Sequence, residues 1–333
     1  MTAKEYIDSA NDLLEYYTGQ TEPLKLTSAS FKANLPSAVR NEVTNVVKSI
    51  IRSHEKGNYR KLPVLKKRVI TWNNQNYKIN TKSIELPVMI DGKSKRISVG
   101  ALLTEYQTSK LNGKLGSLRI TKKNNKWIAQ VAVDVEPCKA VGNNIMGVDL
   151  GLKVPAVAVT STGKTKFFGN GRQNKYMKRK FKSKRQRLGK AKKQKAIKKT
   201  SSKEKRWANN QDHLISRQII NFAIDNNVSV INLEKLSDIR NTTRTSRKNN
   251  YNLHSWSFYR LAQYIKYKAK LSGISVVDVN PCYTSQACPH CRSLNKTNDR
   301  NYICDCGYHG HRDRVGAVNI ISAPVIVGNR QSA

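Results

Sequence analysis

Residues 284–320 read TSQACPHCRSLNKTNDRNYICDCGYHGHRDRVGAVNI, two close cysteine pairs followed at once by an acid, Asp313. Thiolates at the tips of two tight turns can close a tetrahedral shell around Zn²⁺. Cys288-x-x-Cys291 and Cys304-x-Cys306 supply two such tips at ribbon separation. The second pair is one residue tighter than the usual knuckle, so His309 or His311 is an alternative to a thiolate there. The spacing predicts a zinc ribbon, followed by a short helix that opens near Asp313.

Upstream, the runs IMGVDL and VPAVAVT predict strands at Ile145–Leu150 and Val154–Thr160, with a hairpin at Ser161–Lys164 leading into Lys166–Phe168. Asp149 stands between Val148 and Leu150. A carboxylate in such a strand needs a salt bridge, a hydrogen bond or a metal. A helix carrying Leu214, Ile215, Ile219, Phe222 and Ala223 ends at Asn226-Asn227 and passes into the strand VSVINLEKL, where Glu234 sits at the end. His213 reads as a polar-face histidine. Helix-then-strand order suggests an α/β sheet, and such sheets place their chemistry at strand ends. After the polar loop 241–253 comes a helix with Phe258, Leu261, Ala262, Ile265 and Ala269, then the strand ISVVDV. Asp278 closes that strand just before Asn280-Pro281 and reads as a turn former.

Between the hairpin and the helix, residues 172–206 are densely basic. Like charges at helical neighbours repel unless something neutralises them, and phosphates would do so; the plainer reading is a solvated helix or a basic arm. Tyr176, Met177, Phe181 and Leu188 give the block a thin apolar seam, and Ser201-x-x-Glu204 reads as the capping box that starts the next helix.

Towards the N-terminus, Tyr6, Ala10, Leu13, Leu14 and Tyr17 recur at helical spacing, as do Val39, Val43, Val46, Val47, Ile50 and Ile51. Pro36 is expected in the first turn of the second helix, where its missing N–H costs nothing. From about Lys61 short β-type runs take over. They end in a hairpin turning at Asn124-Asn125, with Trp127, Ala129, Val131 and Val133 on one face. This β region extends to about Pro137, and a polar link runs from Lys139 to Asn144.

Lys and Arg total 61 against 22 Asp and Glu, a formal net charge of +39 over 333 residues, and a field of that sign recruits polyanions. The sequence has no apolar run long enough to span a bilayer and no secretory start, which favours nucleic acid over a lipid surface. Four of the six cysteines belong to the ribbon; Cys138 and Cys282 read as isolated thiols of a cytoplasmic, nucleoid-associated protein. Three acids, Asp149, Glu234 and Asp313, then stand on a strand, a strand end and a helix opening. In-line cleavage of a phosphodiester needs cations that such a carboxylate cluster can hold, and hard Mg²⁺ or Mn²⁺ takes oxygen ligands.

The run GVDLGLKVPAVAV, the strand INLEKL, the ribbon YTSQACPHC and the closing HRDRVGAVNI together resemble the TnpB (OrfB) family of insertion-sequence proteins, a family classed with the transposases and related to the type V CRISPR effectors. The resemblance implies an α+β multidomain chain. It would comprise a helical recognition-like segment (1–60), a β-barrel-like wedge segment (61–140), and a RuvC-like nuclease domain of RNase H fold (141–280) containing the basic block 172–206. A zinc ribbon (281–310) and a C-terminal RuvC segment (311–333) would follow. In that reading Asp149, Glu234 and Asp313 bind catalytic Mg²⁺ or Mn²⁺, and Cys288, Cys291, Cys304 and Cys306 bind structural Zn²⁺. Lys178, Arg179, Lys182, Arg185, Arg187, Lys192 and Lys195 would lie along RNA or heteroduplex. The implied activity is an RNA-guided DNA endonuclease tied to transposition and recombination, with a guide RNA from the element's end and double-stranded target DNA as partners. Family members usually begin with a Tyr-x-Leu-x-Pro strand, whereas this chain starts inside a helix at Thr2–Tyr17, so the wedge barrel is expected to have an open edge. The competing readings are a non-cleaving DNA- or RNA-binding regulator and a truncated, inactive copy; the presence of all three acids favours the enzyme.

Overall fold

The computed structural model describes residues 2–18, 26–57, 61–123, 126–138, 142–236, 258–297 and 299–326. The Asn124-Asn125 turn, the loop 241–253 and positions 139–141 of the polar link lie outside the described residues. The chain divides into two compact units, Met1–Val135 and Glu136–Ala333.

The first unit contains α1 (Thr2–Thr18), α2 (Ser37–Lys56), β1 (Val69–Trp72), β2 (Lys78–Ile79), β3 (Ser83–Ile90), β4 (Lys93–Gly100), α3 (Glu105–Lys110), β5 (Leu115–Lys123) and β6 (Lys126–Val133). Both amphipathic helices form as the periodicity predicts. Tyr6, Ala10, Leu13 and Leu14 meet Val39, Val43, Val47 and Ile51 in one core with Ile70, Trp72, Leu86 and Leu118. Pro36 is the residue before α2 rather than part of its first turn: its ψ of 145° is extended, and its carbonyl accepts from Val39 and Arg40. The ring fixes φ in either position, so the extended ψ decides that Pro36 caps. The Asn11 side chain stands in for a strand partner, donating to the Leu65 carbonyl at 3.0 Å and accepting from its N–H at 2.8 Å.

The strands make two sheets, β1-β5-β6 and β2-β3-β4, so among the described residues β6 and β4 are each paired on one side only. The Trp72 indole joins the sheets by donating to Pro87 O at 3.2 Å. Between them lies an apolar groove of about 1000 Å³, with Trp127, Ala129, Val131 and Val133 along it and Trp127 and Tyr106 exposed at its rim. The short helix α3, which the sequence reading missed, opens with a capping box of Thr104 and Gln107.

The second unit is built on β7 (Asn144–Asp149), β8 (Ala156–Thr160), β9 (Thr165–Phe168), β10 (Val228–Glu234) and β11 (Ser275–Val279), in the order β11-β10-β7-β8-β9. β10 runs parallel to both β7 and β11, while β8 and β9 are antiparallel additions. The helices are α4 (Gly171–Lys190), α5 (Gln194–Asp225), α6 (Phe258–Leu271) and α7 (Arg312–Ile321). Strand alternation assigns the two faces. Met146, Val148, Ala156 and Ala158 pack with Ile215, Ile219 and Ala223 of α5 and with Leu261 and Ile265 of α6. Val157 and Val159 pack with Ala317 of α7.

The basic block forms a helical hairpin, α4 and α5, and one expectation about it fails. Ser201 does not cap a helix; α5 begins at Gln194 and runs through it, and Glu204 instead pairs with Arg185 of α4. The good helix formers between Gln194 and Lys199 extend the helix upstream, and the hairpin gives Glu204 a cation. Leu214 is 51% exposed and lies off the core face. His213 stacks on Tyr264 with ring centroids 4.1 Å apart. Asp278 is not a turn former: it pairs with Lys266 at 2.7 Å, and Asn280 makes the local turn by accepting from Cys282 N. Beyond Val279 the sheet edge is met by Val325 in an antiparallel bridge, with Ile326 N donating to Asp278 O. Among the described residues, no helix is long and apolar enough to cross a membrane.

Candidate active site and thiol cluster

The three acids meet because of strand parity and register. Gly147 and Asp149 project to the face opposite Met146 and Val148, and on β10 Asn232 and Glu234 project opposite Ile231 and Leu233. Leu233 is registered beside Val148 in parallel pairing, so Glu234 and Asp149 leave neighbouring strands at the same end and on the same face. α7 covers that face. Asn232 Nδ2 donates to the carbonyls of Ile320 and Ile321. A Cβ on Gly147 would lie 2.1 Å from Ala317 O, and one on Gly316 would lie 3.1 Å from Asp149 Oδ2. The helix therefore starts over the strand ends and runs back along the sheet. Its first turn holds Asp313, where the helix dipole favours an anion.

Burial and then the charges of Glu234 and Asp313 push the Asp149 carboxyl well above the usual carboxylate range, while Arg312 and Arg300 oppose the rise. Burial likewise raises Glu234, against a lowering hydrogen bond from Thr284. Asp313 pairs with Arg300 at 2.6 Å. Asp149 thus lies within electrostatic reach of both other acids, but among the described residues only the thiols bring their donor atoms within 4.8 Å of one another.

The four cysteines of the ribbon come together. All their sulfurs lie within 4.8 Å of one another, with Cys288 and Cys306 at 3.7 Å and Cys291 and Cys304 at 3.4 Å. Thiolates about 2.3 Å from a tetrahedral metal have edges of about 3.8 Å, so the set fits such an ion. Neither His309 nor His311 belongs to the group; His311 instead packs edge-on against Phe167. The tight second knuckle is accommodated by the hairpin of β12 (Asn301–Ile303) and β13 (His309–His311). Gly307 turns at φ +86°, and Cys304 N donates to Tyr308 O. Asn295 Nδ2 donates to Cys304 Sγ at 3.0 Å, and the Ser293 hydroxyl is the main cause that brings the Cys304 thiol down to about 6. Cys138 and Cys282 are exposed free thiols.

Of the basic residues singled out, Arg179, Lys182, Arg187, Lys192 and Lys195 are exposed along the hairpin. Lys178 and Arg185 are half-buried, and Arg185 pairs with Glu204 across the hairpin. Burial lowers Lys178 while Glu204 and Asp212 raise it. Thr284, Arg300 and Gly316, each touching one of the acids, were not singled out from the sequence. Their contacts depend on the fold, and no spacing signals them.

The mixed five-stranded sheet with its flanking helices defines an α+β fold. The fold is similar to that of a Cas12f1 chain seen in a cryo-EM complex with sgRNA and target DNA, at a TM-score of 0.71 and 16% identity, over 96% of this chain and 80% of that one. Residues 129–240 match the OrfB_IS605 family model, described as "Probable transposase", and residues 258–320 match the Cas12f1-like TNB domain. The CRISPR-associated endodeoxyribonuclease Cas12f1 of Sulfoacidibacillus thermotolerans is 28% identical over 72% of this chain and 59% of its own length. A TnpB-like protein of Methanocaldococcus jannaschii is 34% identical over 41% of this chain and 50% of its own length. A shorter transposase-like chain of the same archaeon is 35% identical over 73% of its length. The chain belongs to the TnpB (OrfB) family of insertion-sequence proteins, related to Cas12f. It spans 59% and 50% of the length of the first two relatives.

Proposed function

We propose that this protein is a transposon-associated, RNA-guided DNA endonuclease whose reacting centre is Asp149, Glu234 and Asp313. The observation that supports this reading most directly is that these acids, far apart in sequence, share one face and one end of the sheet. The three carboxylates would hold Mg²⁺ or Mn²⁺, which when bound polarises the attacking water and steadies the leaving oxygen of the phosphodiester. The protein's part is to fix the acids on rigid elements and to supply cations nearby. Arg300 and Arg312 stand close enough to Asp149 to oppose its raised pKa, and so can compensate charge on a bound phosphate. The four thiols would take Zn²⁺ as a structural ion and fix the ribbon beside α7. The exposed face of the α4–α5 hairpin would lie along the phosphates of a guide RNA or its heteroduplex with target DNA. The helical and β-rich parts of the first unit would serve as the recognition-like and wedge-like segments.

The test is to purify the chain from cells carrying the flanking element DNA, sequence any bound RNA, and assay Mg²⁺-dependent cleavage on a target library with randomised flanks. Bound element-end RNA and cleavage beside one flanking motif are expected, with Asp149→Ala abolishing cleavage and leaving RNA binding intact. Equal loss of both in the variant would sink the assignment.

A further inference from the structure

We infer that Thr284, held in place by Asn319, is a positioning residue for the Glu234 carboxylate; this rests on the reading of Glu234 as a metal-binding acid. Thr284 lies in the segment between β11 and the first ribbon cysteine, outside any helix or strand, and is 7% exposed. Its hydroxyl donates to Glu234 Oε1 and also lies 3.1 Å from Pro281 O. One hydroxyl carries one proton, so the two acceptors compete, and the charged carboxylate forms the stronger bond. The hydrogen bond therefore favours one orientation of Glu234 by engaging one of its two oxygens.

A hydroxyl on an irregular segment can aim a carboxylate only if that segment is itself fixed. Asn319 of α7 supplies the fixation. It is 6% exposed, and its Nδ2 donates to Thr284 O at 2.8 Å and to Ala287 O at 2.7 Å. Both partners are carbonyls, so the amide orientation is forced. Among the described residues Asn319 Oδ1 is buried without a donor, and the side chain is held there by its two donated bonds. One helix thus carries Asp313 in its first turn and, through Asn319, secures the hydroxyl that aims Glu234. Ala287 directly precedes Cys288, so the same amide ties the ribbon's first thiol to the acid site.

The test titrates Mn²⁺ alone into the full-length protein and follows free Mn²⁺ by electron paramagnetic resonance. The chains compared are wild type, Asp149→Ala, Thr284→Val and Thr284→Ser. Wild type is expected to hold Mn²⁺ in a site that Asp149→Ala removes. Thr284→Val should weaken that site roughly tenfold, the scale of one hydrogen bond to a charged group, with the melting temperature lowered by no more than the few degrees that one lost hydrogen bond costs, and Thr284→Ser should restore the site. Wild-type affinity in Thr284→Val overturns the inference, and so does a serine variant as weak as the valine one. Absence of any Asp149-dependent site in wild type is a different failure: it overturns the metal-centre reading and this inference with it.

Discussion

Arg300 of the ribbon and Asp313 of α7 are joined by an ion pair of 2.6 Å, so one of the three gathered acids already has a cation at its carboxylate. Both side chains keep some exposure, 31% and 20%, which places the pair in the range of about 0.2–1 kcal/mol for water-screened partners. A divalent ion at Asp313 has to share or displace that guanidinium. Arg300→Gln should therefore tighten Mn²⁺ binding by up to about fivefold. Isothermal titration calorimetry on both chains checks this, and weaker binding in the variant would mean that Arg300 supports the site instead of competing for it.

Removing one thiol should cost the ribbon its metal. Wild type is expected to purify with zinc and Cys304→Ser without it, measured by atomic emission. The loss should be on the order of 3 kcal/mol, or roughly 6–12 °C of melting temperature for a unit of this size. A wild-type chain that contains no zinc and does not respond to a chelator would remove the structural role assigned to the four thiols.

Gly147 has no room for a side chain. Its Cβ would sit 2.1 Å from Ala317 O and 3.0 Å from Ile321 Cγ1, so α7 must retreat from β7 in Gly147→Ala. The expected cost is about 3 kcal/mol, at the upper end for overpacking. Gly163→Ala makes a useful contrast, because nothing lies near its Cβ and only its φ of +84° is strained, a cost of about 1–2 kcal/mol. Chemical denaturation of the two variants should rank them in that order.

Lys268 makes the stability of the second unit depend on pH. It is 4% exposed, donates to His213 O at 2.7 Å and to Ser216 Oγ at 2.6 Å, and is brought down to about 8 by burial and then by the charge of Arg217. The folded chain holds this proton less tightly than the unfolded one, whose lysine keeps the ordinary value of 10.5. Its contribution is therefore fully present above 10.5 and is lost as pH falls through 8. The stability difference between wild type and Lys268→Met should shift in favour of wild type as pH rises across that window. Guanidinium unfolding across the window tests this; a difference that does not change with pH would contradict it.

Much of this architecture was legible because its signals are local. Val39, Val43 and Val47 repeat with a helix's period, and the cysteine pairs sit on turns whose spacing is the ligand spacing. Asp149 stood out because a carboxylate between Val148 and Leu150 needs an explanation. Misreadings arose where a local signal lost to a distant partner. Ser201 and Glu204 have the spacing of a capping box, but Arg185 across the hairpin claims Glu204. Asp278 precedes a turn, yet Lys266 on α6 claims it. Thr284 and Arg300 went unnoticed because their significance lies in what the fold sets beside them.

The short antiparallel contact of Val325 with Val279 has a bearing on how this chain behaves in a crowded solution. β11 is the outermost strand on its side, and without a neighbour it would offer its backbone to any other extended chain. Ile326 N on Asp278 O and Asn280 N on Pro324 O occupy part of that edge. On the far side, the outermost strand β9 carries Lys166, a charge that discourages stacking of one molecule on the next. Among the described residues, each margin of the sheet thus carries a feature that disfavours edge-to-edge pairing.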